Sequence, residues 1–179
     1  MRRVPFLLLA SLLCACPVAG DDDDTPPPYE GPPEWGAWRV TLNAEPQDSC
    51  SRELDVGAGD DITNTDVEEA GEDGGDFTMR ESFDTWAVGG GLHEFVCFMD
   101  GGGAFTCEAF LSSFDPDIPA PFQTQVVRTG TLLSPSEATF LTSYEENCVA
   151  SSEACATAEE IYGVEYPCLS SFAADATLR

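Results

Sequence analysis

Apolar and polar residues alternate along most of the chain, and this alternation limits the folds that it can adopt. In the segment 36–43, Trp38, Val40 and Leu42 would share one face of an extended strand. Alternating or short apolar segments recur between turn signals, at residues 77–88, 93–99, 104–110, 122–133, 137–145 and 172–178. Such segments are typical of half-buried β-strands. The sequence therefore predicts an all-β fold, a small antiparallel barrel or sandwich of about six to eight strands.

Two segments and one side chain depart from this pattern. Ser152 is a suitable N-cap for a short helix over 153–162, and Gly163 is a suitable stop. The range 57–76 is rich in carboxylates and glycines, so we expect a mobile acidic loop there. Glu81 interrupts an otherwise apolar strand face.

The first residues have the composition of an export signal. Two arginines at positions 2 and 3 precede an apolar run, 4–13, that is too short to span a bilayer. The run ends in Leu-Cys-Ala-Cys at 13–16, which resembles a bacterial lipobox. The resemblance implies a signal peptide over 1–15 and lipidation, such as palmitoylation, at Cys16. It implies a protein anchored to the bacterial outer membrane, at the periplasmic face or the cell surface.

The residues after the lipobox predict a tether rather than part of a packed domain. Four aspartates at 21–24 repel one another, and the prolines that follow favour an extended conformation. We therefore assign 16–34 to an acidic, proline-rich spacer. The all-β domain is expected to cover residues 35–179.

The cysteine count supports an exported protein. Without Cys14 and the lipidated Cys16, the chain keeps six cysteines, an even number that predicts three disulfides. A three-residue hairpin loop at Gly101–Gly103 would place Cys97 opposite Cys107, within bonding distance. Six cysteines allow 15 connectivities, so both could also pair elsewhere. In a closed meander the first and last strands are neighbours, which suggests Cys50–Cys168 and leaves Cys148–Cys155.

The charge of the chain limits its partners. All 33 acidic residues follow position 20, and two of the seven basic residues leave with the signal, so the mature formal charge is 5 − 33 = −28. Nucleic acid is therefore not expected as a partner, because its phosphates would be repelled. A cationic protein partner would be attracted. The acidic range includes Asp60, Asp61, Asn64 and Asp66, which could supply oxygens to calcium. Their spacing does not fit an EF-hand, so we favour solvated charge and predict no metal site.

Gly36-Ala37-Trp38 opens the first predicted strand, and here the chain resembles a lipocalin-type barrel. In that family a Gly-x-Trp begins strand one, and the tryptophan closes the barrel floor, often beneath a late arginine. Arg179 is the residue that would take that part. The resemblance implies an apolar cavity for a small ligand. The alternative is that Trp38 is a core residue of a sandwich.

The sequence contains no catalytic motif. His93 is the only histidine, which excludes zinc-protease motifs, and no Gly-x-Ser-x-Gly elbow occurs. We expect His93 to be a surface residue at a strand end. We therefore predict a monomeric envelope or cell-surface binding module. More specifically, we predict a lipocalin-like carrier of a small apolar ligand. The alternative is a structural or protein-contact lipoprotein, and no catalytic residue or cofactor is predicted.

Overall fold

The described residues fold into one closed antiparallel β-barrel of eight strands, with one short additional strand and one helix. The structure is a computed structural model and describes residues 27–50, 58–71, 74–83, 91–114 and 120–179. The elements are β1 (Gly36–Leu42), β2 (Gln47–Asp48), β3 (Asp61–Glu69), β4 (Phe77–Phe83), β5 (Gly91–Gly101), β6 (Ala104–Phe114), β7 (Pro121–Ser134), β8 (Glu137–Cys148), α1 (Ser152–Tyr162) and β9 (Cys168–Leu178). In the barrel, β1 pairs with β3, and each strand from β3 to β8 pairs with the one that follows it. β9 pairs with β1 and closes the barrel, and the short β2 pairs with β9. The prediction of an all-β barrel or sandwich is thus confirmed as a barrel.

The alternation in the sequence sets which side chains fill the barrel. In β1 the side chains of Trp38, Val40 and Leu42 are buried, whereas Ala37, before Trp38, and Arg39, after it, are exposed. The same alternation runs through β8 and β9. Because successive side chains of a strand point to opposite faces, one face of each strand builds the core inside the barrel. The core is aromatic-rich, with Trp38, Phe77, Phe95, Phe105, Phe140 and Phe172 each at most 3% exposed.

Strand β3 corrects the expectation of a mobile acidic loop over 57–76. Nine residues of that range, Asp61–Glu69, form a strand between β1 and β4. Thr65 and Val67 are each 1% exposed, whereas Asp66 and Glu68 face solvent. The range does alternate with period two, but threonine takes part of the inward face. Composition alone therefore concealed the pattern; residues 57, 72 and 73 lie outside the described part of the chain.

The hairpin of β5 and β6 has the predicted register but a different turn. Cys97 pairs with Cys107 and Met99 with Phe105, as the facing-pair arithmetic requires. The register then shifts, so that Gly101 pairs with Ala104 and only two residues form the turn. Gly102 and Gly103 have φ of 60° and 77°, which a two-residue type I′ turn needs at both central positions. The bulge falls at Asp100, whose carboxylate accepts a hydrogen bond from Thr106 Oγ1 at 2.8 Å.

The N-terminal segment 27–35 crosses one end of the barrel, which we call the closed end. Tyr29 packs against the core, and Pro33 is buried. The backbone N–H of Glu34 donates to Pro135 O at 2.7 Å, in the turn between β7 and β8. A Cβ atom at Gly103 would come within 2.4 Å of Tyr29 O, so glycine there permits the segment to pass. The last part of the predicted tether thus contacts the domain.

The helix and two disulfides lie at the opposite end of the barrel, the open end. Helix α1 has Ser151 as its N-cap, one residue earlier than expected, and Gly163 (φ 69°) follows its last turn. Ala158 packs against Ala120 and Phe122. The three disulfides are Cys50–Cys168, Cys97–Cys107 and Cys148–Cys155, the pairs named from the sequence. In the described part of the chain, no helix has the length and apolar character that a membrane crossing requires.

Candidate functional site

A buried ion pair crosses the interior of the barrel. Arg128 of β7 and Glu81 of β4 have no exposed side-chain surface, although two strands separate them around the wall. Arg128 Nη2 donates to Glu81 Oε2 at 2.9 Å, and Nη1 donates to Oε1. Arg128 Nε donates to Thr142 Oγ1 at 2.8 Å, and Thr65 Oγ1 donates to Glu81 at 3.2 Å. Both ions therefore have several hydrogen bonds, which a buried charge requires.

Two aromatic rings hold the guanidinium in place. The Arg128 guanidinium carbon lies 4.5 Å from the ring centre of Phe95 and 4.2 Å from that of Phe140. Both distances are within the range of cation–π attraction. Gly130, two residues after Arg128, permits close packing here, because a Cβ atom there would come within 2.4 Å of Phe105 Cζ and 2.7 Å of Phe140 Cβ. The guanidinium, its carboxylate partner and the two rings occupy the middle of the barrel.

His93 belongs to the same buried group, which corrects the expectation of a surface residue. It lies opposite Glu81 in the β4–β5 pairing and is 9% exposed. Strand β5 begins at Gly91, so His93 falls on the same inward face as Phe95 and Cys97. Burial lowers the pKa of His93 from its usual 6.5, and the nearby Glu81 carboxylate partly opposes this shift. The neutral imidazole is thus favoured in the folded protein.

Polar side chains also line the interior nearer the open end. Thr124 Oγ1 of β7 donates to Glu146 Oε2 at 3.3 Å, on the neighbouring strand β8. Ser170 Oγ donates to Asp48 Oδ1, which also accepts the Cys50 backbone N–H at 2.8 Å. The barrel interior near the open end therefore holds buried hydroxyls and a buried carboxylate, with Thr124 1%, Glu146 7% and Ser170 6% exposed.

The outer wall carries an open cleft of about 600 Å³ between β2, β8 and β9. Gln47, Ser171 and Ser143 lie side by side on these three strands, and Leu169 forms part of the rim. Several neighbouring outward positions on β7, β8 and β9 are uncharged, namely Val127, Thr129, Thr139, Leu141 and Ala173, whereas the exposed Glu145 lies opposite Leu169 at the rim.

The opposite side of the barrel wall is charged. Arg39 contacts Asp61 at 3.1 Å, and Arg80 contacts Glu68 at 2.8 Å and Glu94 at 2.9 Å. The hydrogen bond to Glu94 and the two neighbouring carboxylates raise the pKa of the Arg80 guanidinium. Because these pairs are exposed, they add little stability. The exposed arginine–carboxylate pairs of the wall thus lie on β1, β3, β4 and β5, whereas the outward charges of β8 and β9 are carboxylates, Glu137, Glu145 and Asp175.

The carboxylates considered for calcium lie apart along an extended strand. Asp61 and Asp66 are five residues apart on β3, and Asp61 pairs with Arg39. Asp61 also accepts a hydrogen bond from Thr41 Oγ1 at 2.8 Å. Among the described residues, no group of three or more His, Cys, Asp or Glu side chains could hold a metal ion. Cys16 lies outside the described residues.

The residues that carry the lipocalin resemblance lie at the closed end. Gly36 begins β1 with φ 142°, and the Trp38 ring is 1% exposed, with Nε1 donating to Glu34 O at 3.0 Å. Arg179 follows β9, and its backbone N–H donates to Ala37 O at 2.9 Å, next to Trp38. The helix lies between the last two barrel strands.

The two residues of the ion pair can be recognised from their positions in the sequence. Arg128 occurs at the inward position of a long alternating segment, between Val126 and Gly130. Glu81 occurs at the inward position of another, where it interrupts an apolar face. Two opposite charges on the inward faces of different strands predict an ion pair, since neither charge could be buried alone.

No protein-family model, curated protein or solved structure matches the chain at a significant level.

Proposed function

We propose that this protein is a lipid-anchored binding module of the bacterial envelope or cell surface that binds through the outer wall of its barrel. The observation that carries the proposal is the Arg128–Glu81 pair, stacked between Phe95 and Phe140. A cavity for an apolar ligand would be lined by apolar groups and empty. Here the middle of the interior is filled with a charged pair that would lose its partners if a ligand displaced it. The barrel is therefore a rigid scaffold.

The anchor is supported by the sequence and by where the domain begins. Lipidation at Cys16 would leave 11 residues before Pro27, a reach of about 40 Å at most when fully extended. The segment 27–35 runs across the closed end. The closed end would face the membrane, and the open end and upper wall would face away from it. Mass spectrometry of protein extracted from membranes should show an acylated N-terminal Cys16, and an unmodified N-terminus further downstream would refute the anchor.

Titration with an apolar fluorescent dye tests the scaffold. We expect no saturable one-to-one binding of the dye to the full chain. A Phe77→Ala variant titrated with benzene is the positive control, because the Phe77 ring packs against Phe105 and an apolar cavity opened in a core can hold a small apolar molecule. Stoichiometric binding to the unmodified protein, with competition by fatty acids, would overturn the proposal and favour a carrier.

The second candidate is a lipocalin-like carrier. The observations that favour it are the closed eight-strand barrel and the buried Trp38 at the closed end. Its ligand would have to lie above the ion pair, next to Thr124 and Glu146. Such a ligand would meet a hydroxyl and a carboxylate, so it would need a polar group of its own.

A further inference from the structure

The cleft on the outer wall has the size of a ligand site, and polar side chains stand in a mainly apolar lining. Its volume of about 600 Å³ lies within the range of small-molecule sites, roughly 300–1,000 Å³. Gln47 pairs with Ser171, and Ser171 pairs with Ser143, so the three side chains form one row across β2, β9 and β8. Neighbouring strands are about 4.8 Å apart, which places the ends of the row about 10 Å from each other.

The row has free hydrogen-bonding capacity. Within the described part of the chain, the side chains of Gln47, Ser143 and Ser171 have no hydrogen-bond partner. Each hydroxyl can donate and accept, and the Gln47 amide offers two donors and an acceptor. The Leu169 side chain is 58% exposed beside the row and supplies an apolar surface. The cleft can therefore meet a ligand that has both hydroxyl groups and apolar faces.

The carboxylates around the cleft disfavour an anionic ligand. The Asp48 carboxylate already accepts hydrogen bonds from Ser170 and the Cys50 backbone, and Glu145 accepts one from Asn147. The row of Gln47, Ser143 and Ser171 is itself neutral, and it lies beside these two carboxylates on a chain whose formal charge is −26. An anionic ligand would be repelled by that charge.

We propose that this cleft binds a neutral oligosaccharide through Gln47, Ser143 and Ser171, with a sugar ring against Leu169. The inference rests on the proposed function, in which the outer wall is the binding surface. A sugar ring carries hydroxyls at its edge and C–H groups on its faces, and the row of neutral donors and acceptors next to a leucine matches both. The site lies near the open end, away from the anchored end.

The test is binding of the full chain to an array of neutral and anionic oligosaccharides, followed by calorimetry on the best neutral binder. Removing one hydroxyl, in Ser143→Ala or Ser171→Ala, should weaken binding about two- to tenfold, the effect of one net hydrogen bond. Ser171→Trp should abolish binding by filling the cleft. Ser112→Ala is the matched control, because Ser112 is an exposed serine on β6 outside the cleft. Thermal unfolding of each variant would show that the barrel is intact.

The outcomes separate this inference from the proposed function. Binding of neutral glycans that Ser143→Ala and Ser171→Ala weaken, and Ser112→Ala does not, supports the site. No neutral binder, a preference for anionic glycans, or equal effects of all three substitutions would overturn it. If no neutral glycan binds and the apolar dye does not bind either, the oligosaccharide site is refuted, and the proposal that the barrel is a rigid scaffold stands. Saturable binding of the dye would refute the proposed function, in which the barrel is a scaffold without an internal ligand.

Discussion

Substitution of the buried arginine is the strongest test of the interior described above. Arg128→Met removes the guanidinium but keeps a flexible apolar side chain of similar reach. It deletes the two hydrogen bonds to Glu81, the one to Thr142 and the contacts with both phenyl rings. It leaves the Glu81 carboxylate with no exposed surface and with the Thr65 hydroxyl as a remaining hydrogen-bond donor at 3.2 Å.

The expected cost is about 3–5 kcal/mol, because breaking a buried pair leaves an uncompensated charge. That is a large part of the stability of a typical domain, about 5–15 kcal/mol. The double variant Glu81→Leu with Arg128→Met leaves no buried charge and should be more stable than Arg128→Met alone. If Arg128→Met does not fold, Glu81→Gln retains the shape of the partner and should show the same direction of change.

Urea denaturation of the disulfide-intact protein measures these changes. A cost below about 1 kcal/mol, or a double variant whose cost equals the sum of the singles, would refute the ion pair as described.

Two further predictions concern pH and the disulfides. Burial lowers the pKa of His93, so its contribution to stability is complete above about pH 6.5 and is lost as pH falls; His93→Gln should lose less stability between pH 7 and 5 in urea titrations, and an unchanged pH dependence would contradict this. Cys50–Cys168 spans 118 residues and Cys148–Cys155 spans 7. Replacing the first pair by serines should cost about 2 kcal/mol more, measured by thermal unfolding, and equal costs would contradict the loop-entropy argument.

Most of the wall of this barrel can be predicted from the sequence because a strand shows its inward face directly. Trp38, Val40 and Leu42 mark β1 without any knowledge of its neighbours. The Cys97–Cys107 pairing needs only the hairpin register, which is local. Strand β3 is hard to recognise because Thr65 and Val67 occupy successive inward positions, and threonine is neither apolar nor charged. Hydropathy alone cannot assign such a strand.

The contents of the barrel could not be predicted in the same way, because they depend on contacts between distant strands. Glu81 and Arg128 are 47 residues apart, and neither sits in a motif. The closed end likewise depends on a segment, 27–35, whose prolines and acidic neighbours favour a tether when they are considered locally. The outer cleft depends on β2, a two-residue strand that no periodicity can reveal.

The ion pair also bears on how the strand register is fixed. A slip of one residue moves every side chain of a strand to the other face, and an apolar interior with a charged exterior normally prevents it. In β7 that protection is weak, since Val127 and Leu133 are apolar residues on the outward face. A slipped β7 would turn Arg128 outward and leave Glu81 buried without its cation, which is the same uncompensated charge as in Arg128→Met. The pair thus penalises the slipped register by about 3–5 kcal/mol and ties β7 to β4 across the barrel.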